Sequence, residues 1–134
     1  VFTGLNNKTV DGQENTFNNT DTQNYQDVQK YMTISSHGRL DYVVLTNTIF
    51  WNFLSPENKK ILEDAMKEAS IYERQLADEE NLKSFEKLKS SGKMEIYTLT
   101  EQDREKFIAA MKPVYDSYGD KIGVEYIEAA RNSK

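Results

Sequence analysis

The chain has 134 residues, 17 Lys+Arg against 22 Asp+Glu, a formal charge of -5 and no cysteine. That length suits one domain with a real core, and the acidic balance without a basic block excludes a nucleic-acid footprint. The lack of thiols excludes disulfides, a cysteine nucleophile and thiolate metal sites, and no apolar run is long enough to span a bilayer. The N-terminal Val1-Phe2-Thr3-Gly4-Leu5 carries neither the basic nor the hydrophobic region of a signal peptide, so this stretch holds no targeting information.

In chain order, Val1 to Leu5 reads as the stump of a helix. The stretch to about Gln29 is rich in Asn, Thr, Asp and Gln. Such side chains compete with regular structure by bonding to nearby backbone, so it is predicted to be mostly loop, with a short helix over Tyr25 to Gln29. A strand is expected over Lys30 to Ser35. Leu40-Asp41-Tyr42-Val43-Val44-Leu45-Thr46 is dense in β-branched and aromatic residues without clean alternation, the pattern of a central strand buried on both faces.

Thr48 to Leu54 is predicted as a short helix whose Ile49, Phe50, Trp51 and Phe53 fill the core. Ser55-Pro56-Glu57 supplies an N-cap, a proline at the first helical position and an acid in the first turn. The helix it opens runs to Ser90 and ends at Gly92. Ile61, Ala65, Ala69, Tyr72 and Leu76 share one stripe, but Leu82, Phe85 and Leu88 drift to other angles. One partner cannot cover both sets, so the helix is expected to bend or change packing partner near Asp78-Glu79-Glu80-Asn81. Apolar positions facing several directions also predict self-association. Met94 to Leu99 alternates as a strand. Thr100 and Asp103 open a further helix that Pro113 kinks or divides. Gly119 and Gly123 bracket a turn before a last helix over Val124 to Arg131.

For chemistry, Asp11, Glu14 and His37 form a conceivable acid and base set. The accompaniments of catalysis are missing, however: no nucleophile elbow, no metal-binding His-Glu-x-x-His and no phosphate loop. A single histidine is too little for a typical zinc site. The plain alternatives are a hydrogen-bonded histidine at a strand end and an ordinary Asp11-Gly12 turn.

Two segments change that balance. Val10-Asp11-Gly12-Gln13-Glu14-Asn15 and, about two dozen residues on, Tyr31-Met32-Thr33-Ile34-Ser35-Ser36-His37-Gly38 resemble the C-terminal half of substrate-binding proteins of tripartite ATP-independent periplasmic (TRAP) transporters. Val1 to Lys8, Tyr25 to Trp51 and the long helix extend the resemblance over the chain. It implies an α/β fold, the C-terminal part of a two-lobed receptor of the periplasmic-binding kind with a long bracing helix, and residues 1–134 as a single partial domain whose first helix starts upstream. It implies an extracytoplasmic receptor, not an enzyme and without cofactor, that closes on a carboxylate-bearing solute and delivers it to a membrane permease.

On this resemblance Asn15 holds the ligand carboxylate, and Glu14 supports the polar network around it as a partner for a clamping arginine. Gln13 belongs to the same motif, and His37 matches a histidine on a strand near the hinge. The clamp arginine falls upstream of Val1, and none of Arg39, Arg74, Arg104 and Arg131 sits in its motif. Thr16 stands where the family often has proline. Two further classes of function stay open beside the receptor: a helical protein-interaction module using Pro56 to Ser90, and a small hydrolase using His37.

Overall fold

In a computed structural model, which describes residues 1–132, helices dominate and one two-stranded sheet accompanies them. The helices are α1 (Phe2–Asn6), α2 (Phe17–Thr22), α3 (Thr48–Phe53), α4 (Pro56–Ser91), α5 (Glu101–Ile122) and α6 (Val124–Asn132). The strands are β1 (Tyr31–Ile34) and β2 (Glu95–Thr98). Glu95 N donates to Lys30 O and Leu99 N to Ile34 O, the same offset at both ends, so the strands run parallel. A parallel pair needs a long crossover, and α4 lies within it.

The chain forms two compact units, one of Val1–Met32 with Ser36–Ile96, the other of Thr33–Ser35 with the residues from Tyr97 onward. In the first, α2 packs on the C-terminal part of α4. Thr16 caps α2 by accepting from Asn19 N at 3.3 Å. Phe17 and Phe85 pair with ring centroids 4.7 Å apart, and Leu88, on the same end of α4 as Phe85, is 1% exposed. Polar bonds fix the register: Asn81 Oδ1 accepts from Asn18 N at 3.1 Å, and Asn18 Nδ2 donates to Ser84 Oγ at 3.2 Å. Lys87 Nζ straddles the buried Asp21 carboxylate, 2.8 Å from Oδ1 and donating to Oδ2 at 2.9 Å. Leu5 and Tyr25 complete the buried apolar set of this unit.

Helix α4 begins as its sequence dictates, with Ser55 Oγ accepting from Asn58 N at 3.2 Å, and it ends at Gly92 with φ +65. Its 36 residues form one helix through Asp78-Glu79-Glu80-Asn81. What changes there is the partner: the residues before it are uncovered and those after it meet α2.

In the second unit Thr100 caps α5 by accepting from Asp103 N at 3.2 Å, and α5 continues through Pro113 to Ile122. Gly123, with φ +96, breaks it, and α6 folds back so that the Arg131 guanidinium lies 5.0 Å from the centre of the Tyr115 ring.

Four expectations are corrected. The Asn- and Thr-rich stretch is not all loop, because Thr16 and the Phe17–Phe85 contact make a helix of Phe17–Thr22. Leu40 to Thr46 forms no strand: Tyr42, Val43, Val44 and Leu45 are 74–85% exposed, and no neighbouring strand among the described residues offers them a ladder. Helix α3 fills no core, since Ile49, Phe50 and Phe53 are exposed and Trp51 is only half-buried. Gly119 lies buried inside α5 rather than in a turn.

Candidate functional site

The segment Gln13-Glu14-Asn15 runs in irregular backbone straight into Thr16, the cap of α2. That placement fixes the geometry of Asn15. Its Oδ1 accepts from the Thr16 backbone N–H at 3.1 Å and from Asn19 Nδ2 at 2.6 Å. A backbone N–H only donates, so the Thr16 bond identifies the atom facing it as oxygen. The Asn15 amine is thereby turned the other way, and it has no hydrogen bond among the described residues.

Glu14 and His37 lie 23 positions apart, yet the fold brings Glu14 Oε2 to 3.5 Å from His37 Nε2. The contact is an ion pair only when the imidazole is protonated, and both side chains are more than half exposed. Gln13 is half-buried, and its Oε1 is enclosed without a hydrogen-bond partner. An enclosed acceptor left unmade costs about 1–3 kcal/mol. Asp11 is exposed and joins no cluster with Glu14 and His37; no group of three or more potential metal ligands occurs among the described residues. The motif therefore offers one outward amide donor, one carboxylate beside an imidazole and one enclosed amide oxygen. This set suits recognition of a polar ligand.

An open groove of about 950 Å³ lies next to this segment, lined by Thr16, Asn18, Asn19, Arg39, Tyr42, Arg74 and their neighbours. None of Gln13, Glu14, Asn15 and His37 lines it. Its wall carries Arg39 and Arg74 but also Asp41, Glu73, Asp78 and Glu80, four carboxylates against two guanidiniums. Arg39 is already paired with Asp41 at 3.4 Å. The net negative charge of this wall makes the groove a poor host for an anion.

Titration is perturbed elsewhere, at the start of α5. Hydrogen bonds from Thr100, Tyr97 and Lys106 lower the Asp103 carboxyl to about 2, and the same bond to Asp103 raises the Tyr97 phenol. Tyr97 donates to Asp103 Oδ2 at 2.7 Å and Thr100 Oγ1 at 2.6 Å, so this is a reinforced helix cap with a structural role.

Asn19 is the residue that sequence reasoning missed. Its signal was present as the i, i+4 spacing from Asn15 across a Thr cap, but it is legible only once α2 is known to be a helix.

Comparison with known proteins gives a consistent match. Residues 1–121 fit the model of bacterial extracellular solute-binding protein family 7. The C4-dicarboxylate-binding protein DctB of Bacillus subtilis is 37% identical over 127 residues, covering 95% of this chain and 36% of the relative. A TRAP periplasmic solute-binding protein from Shewanella oneidensis, solved with bound succinate, superposes with a TM-score of 0.91 at 35% identity, covering 96% of this chain and 42% of that one. A Pseudomonas aeruginosa counterpart with bound L-malate gives a TM-score of 0.80 at 30% identity over 87% of this chain and 41% of that one. The chain thus spans about two fifths of the length of these proteins.

Proposed function

Because the chain belongs to the family-7 bacterial extracellular solute-binding proteins, we propose that it is part of a receptor that captures a small carboxylate-bearing solute outside the cytoplasm and delivers it to a TRAP membrane permease. Succinate and L-malate, the solutes in two similar structures, set the size and charge of the ligand class. No described helix is long and apolar enough to cross a membrane. Binding and release, without bond chemistry, make up the activity.

The observation that carries this reading is the orientation of Asn15. Its oxygen is occupied by two donors, and its amine points away from both. A carboxylate offers only acceptors, so an amide with its donor end presented is complementary to it, whereas the reverse orientation repels it. Glu14 lies 3.5 Å from His37 Nε2 and stays able to accept from a cation in the closed receptor. Gln13 contributes an enclosed acceptor that a neighbouring donor satisfies on closure.

The test is Asn15→Ala in the full-length receptor, titrated with succinate and L-malate by calorimetry. Hydrogen bonds to charged groups are worth about 1.5–3 kcal/mol, so affinity should fall about ten- to a hundredfold with the melting temperature unchanged. Unaltered affinity in a folded receptor removes Asn15 from the pocket.

A further inference from the structure

We infer that Asn19 is a positioning residue for solute recognition: its side-chain amine locks Asn15 in the donor-outward orientation and so makes the site selective for acceptor-only groups such as carboxylates. The inference rests on the assignment of Asn15 to the solute.

The observations are geometric. An asparagine amide presents a donor at one end and an acceptor at the other, and a half-turn about its last torsion exchanges them at little intrinsic cost. A recognition amide is useful only if something breaks that symmetry. Here two donors converge on Asn15 Oδ1, the Thr16 N–H at 3.1 Å and Asn19 Nδ2 at 2.6 Å. Flipping the Asn15 amide sets its amine against both and loses two hydrogen bonds together.

The Thr16 donor is backbone and is present whatever residue stands at 19. Asn19 is the shorter of the two bonds and the only one that a side-chain change removes. Asn19 itself is well placed for the task. Its backbone N–H is fixed by the Thr16 cap at 3.3 Å, and one helical turn separates it from Asn15. Its side chain is half-buried, while that of Asn15 is exposed. The anchored residue therefore orients the accessible one.

The discriminating experiment is a double-mutant cycle in the full-length receptor, with succinate titrated calorimetrically and thermal melts recorded alongside. Asn15→Ala should weaken binding about ten- to a hundredfold and Asn19→Ala about two- to tenfold, the value of one neutral hydrogen bond. In the Asn15→Ala background, Asn19→Ala should have no further effect on affinity, because there is no amide left to orient. A purely structural role for Asn19 predicts the same loss in both backgrounds, and that result overturns the inference.

Asn19→Asp, close to isosteric, serves as the second variant. Its carboxylate attracts the Asn15 amine and turns the oxygen outward, so it should cost more than Asn19→Ala with Asn15 present and clearly less with Asn15→Ala. Equal losses in the two backgrounds indicate charge repulsion alone and likewise reject the positioning role. If Asn15→Ala leaves affinity intact, the assignment of Asn15 has failed and Asn19 falls with it. If Asn15→Ala weakens binding while neither Asn19 variant does, only the Asn19 role is lost.

Discussion

From Pro56 to Glu79, helix α4 buries no side chain, whereas from Glu80 to Ser91 the same helix buries Ser84 and Leu88 and faces Phe85 to Phe17. Both stretches are rich in good helix formers, and both carry apolar residues: Ile61, Leu62, Met66, Ile71, Tyr72 and Leu76 in the first, Leu82, Phe85 and Leu88 in the second. Propensity and composition therefore do not distinguish them. What differs is a partner, for α2 lies against the second stretch and no described element covers the first. Helical form over all 36 residues is set locally, while the energetic weight of each residue is set by what packs on it.

That contrast is open to direct attack. The largest effect is expected at Leu88, where Leu88→Ala leaves a cavity at a fully buried site and should cost about 2–5 kcal/mol in urea or thermal denaturation. Lys87→Met comes next. It strips the buried Asp21 of its cation, but because Lys87 is itself largely exposed and water replaces part of the interaction, about 1–2 kcal/mol is expected from the same measurement.

An acid titration gives a smaller signal from a third region. The Asp103 carboxyl is held at about 2 in the fold against 3.8 when unperturbed. Its contribution to stability is therefore present above pH 3.8 and is lost as the pH falls through about 2, and Tyr97→Phe should lower stability near neutrality by as much as it diminishes that acid dependence, with little change in strong acid. Smallest of all is Ile61→Ala in the uncovered stretch, expected within about 0.5 kcal/mol of the parent in this 134-residue chain. The same substitution in the full-length receptor sharpens the comparison: a cost that rises to about 2–5 kcal/mol there shows that the rest of the receptor covers this stripe.

The features legible in the sequence were those fixed by a few adjacent residues. Ser55-Pro56 and Gly92 marked the ends of α4, Thr100 with Asp103 the start of α5, and alternation from Met94 to Leu99 the second strand. Those lost were the ones decided by distant partners. Leu40 to Thr46 has the composition of a central strand, but a strand exists only as a pair, and nothing among the described residues hydrogen-bonds to its edges. Phe17–Thr22 has the composition of a loop and is a helix because Phe85 and Asn81 wait 60 or more residues away. At the candidate site, Gln13, Glu14, Asn15 and His37 are proposed from the motif, and the structure brings Glu14 to His37. It leaves Asp11 apart, and it adds Asn19 beside Asn15, a spacing that means something only once Phe17–Thr22 is known to be helical.

The contacts that tie α2 and the first strand to their partners share one arithmetic. Asn18 meets Asn81 and Ser84 at separations of 63 and 66, and Asp21–Lys87 and Asp27–Lys93 also lie 66 apart. Lys30 and Ile34 pair with Glu95 and Leu99 at a constant offset. Such a ladder has a kinetic meaning. Closing a flexible loop of this size costs about 4 kcal/mol of chain entropy, but the cost falls on the first rung alone, and each later rung closes a loop that is already shut. Folding of this region should therefore wait on one slow encounter between two distant arms and then zip, giving a single observable phase in which substitutions on α2 and on the end of α4 slow refolding together.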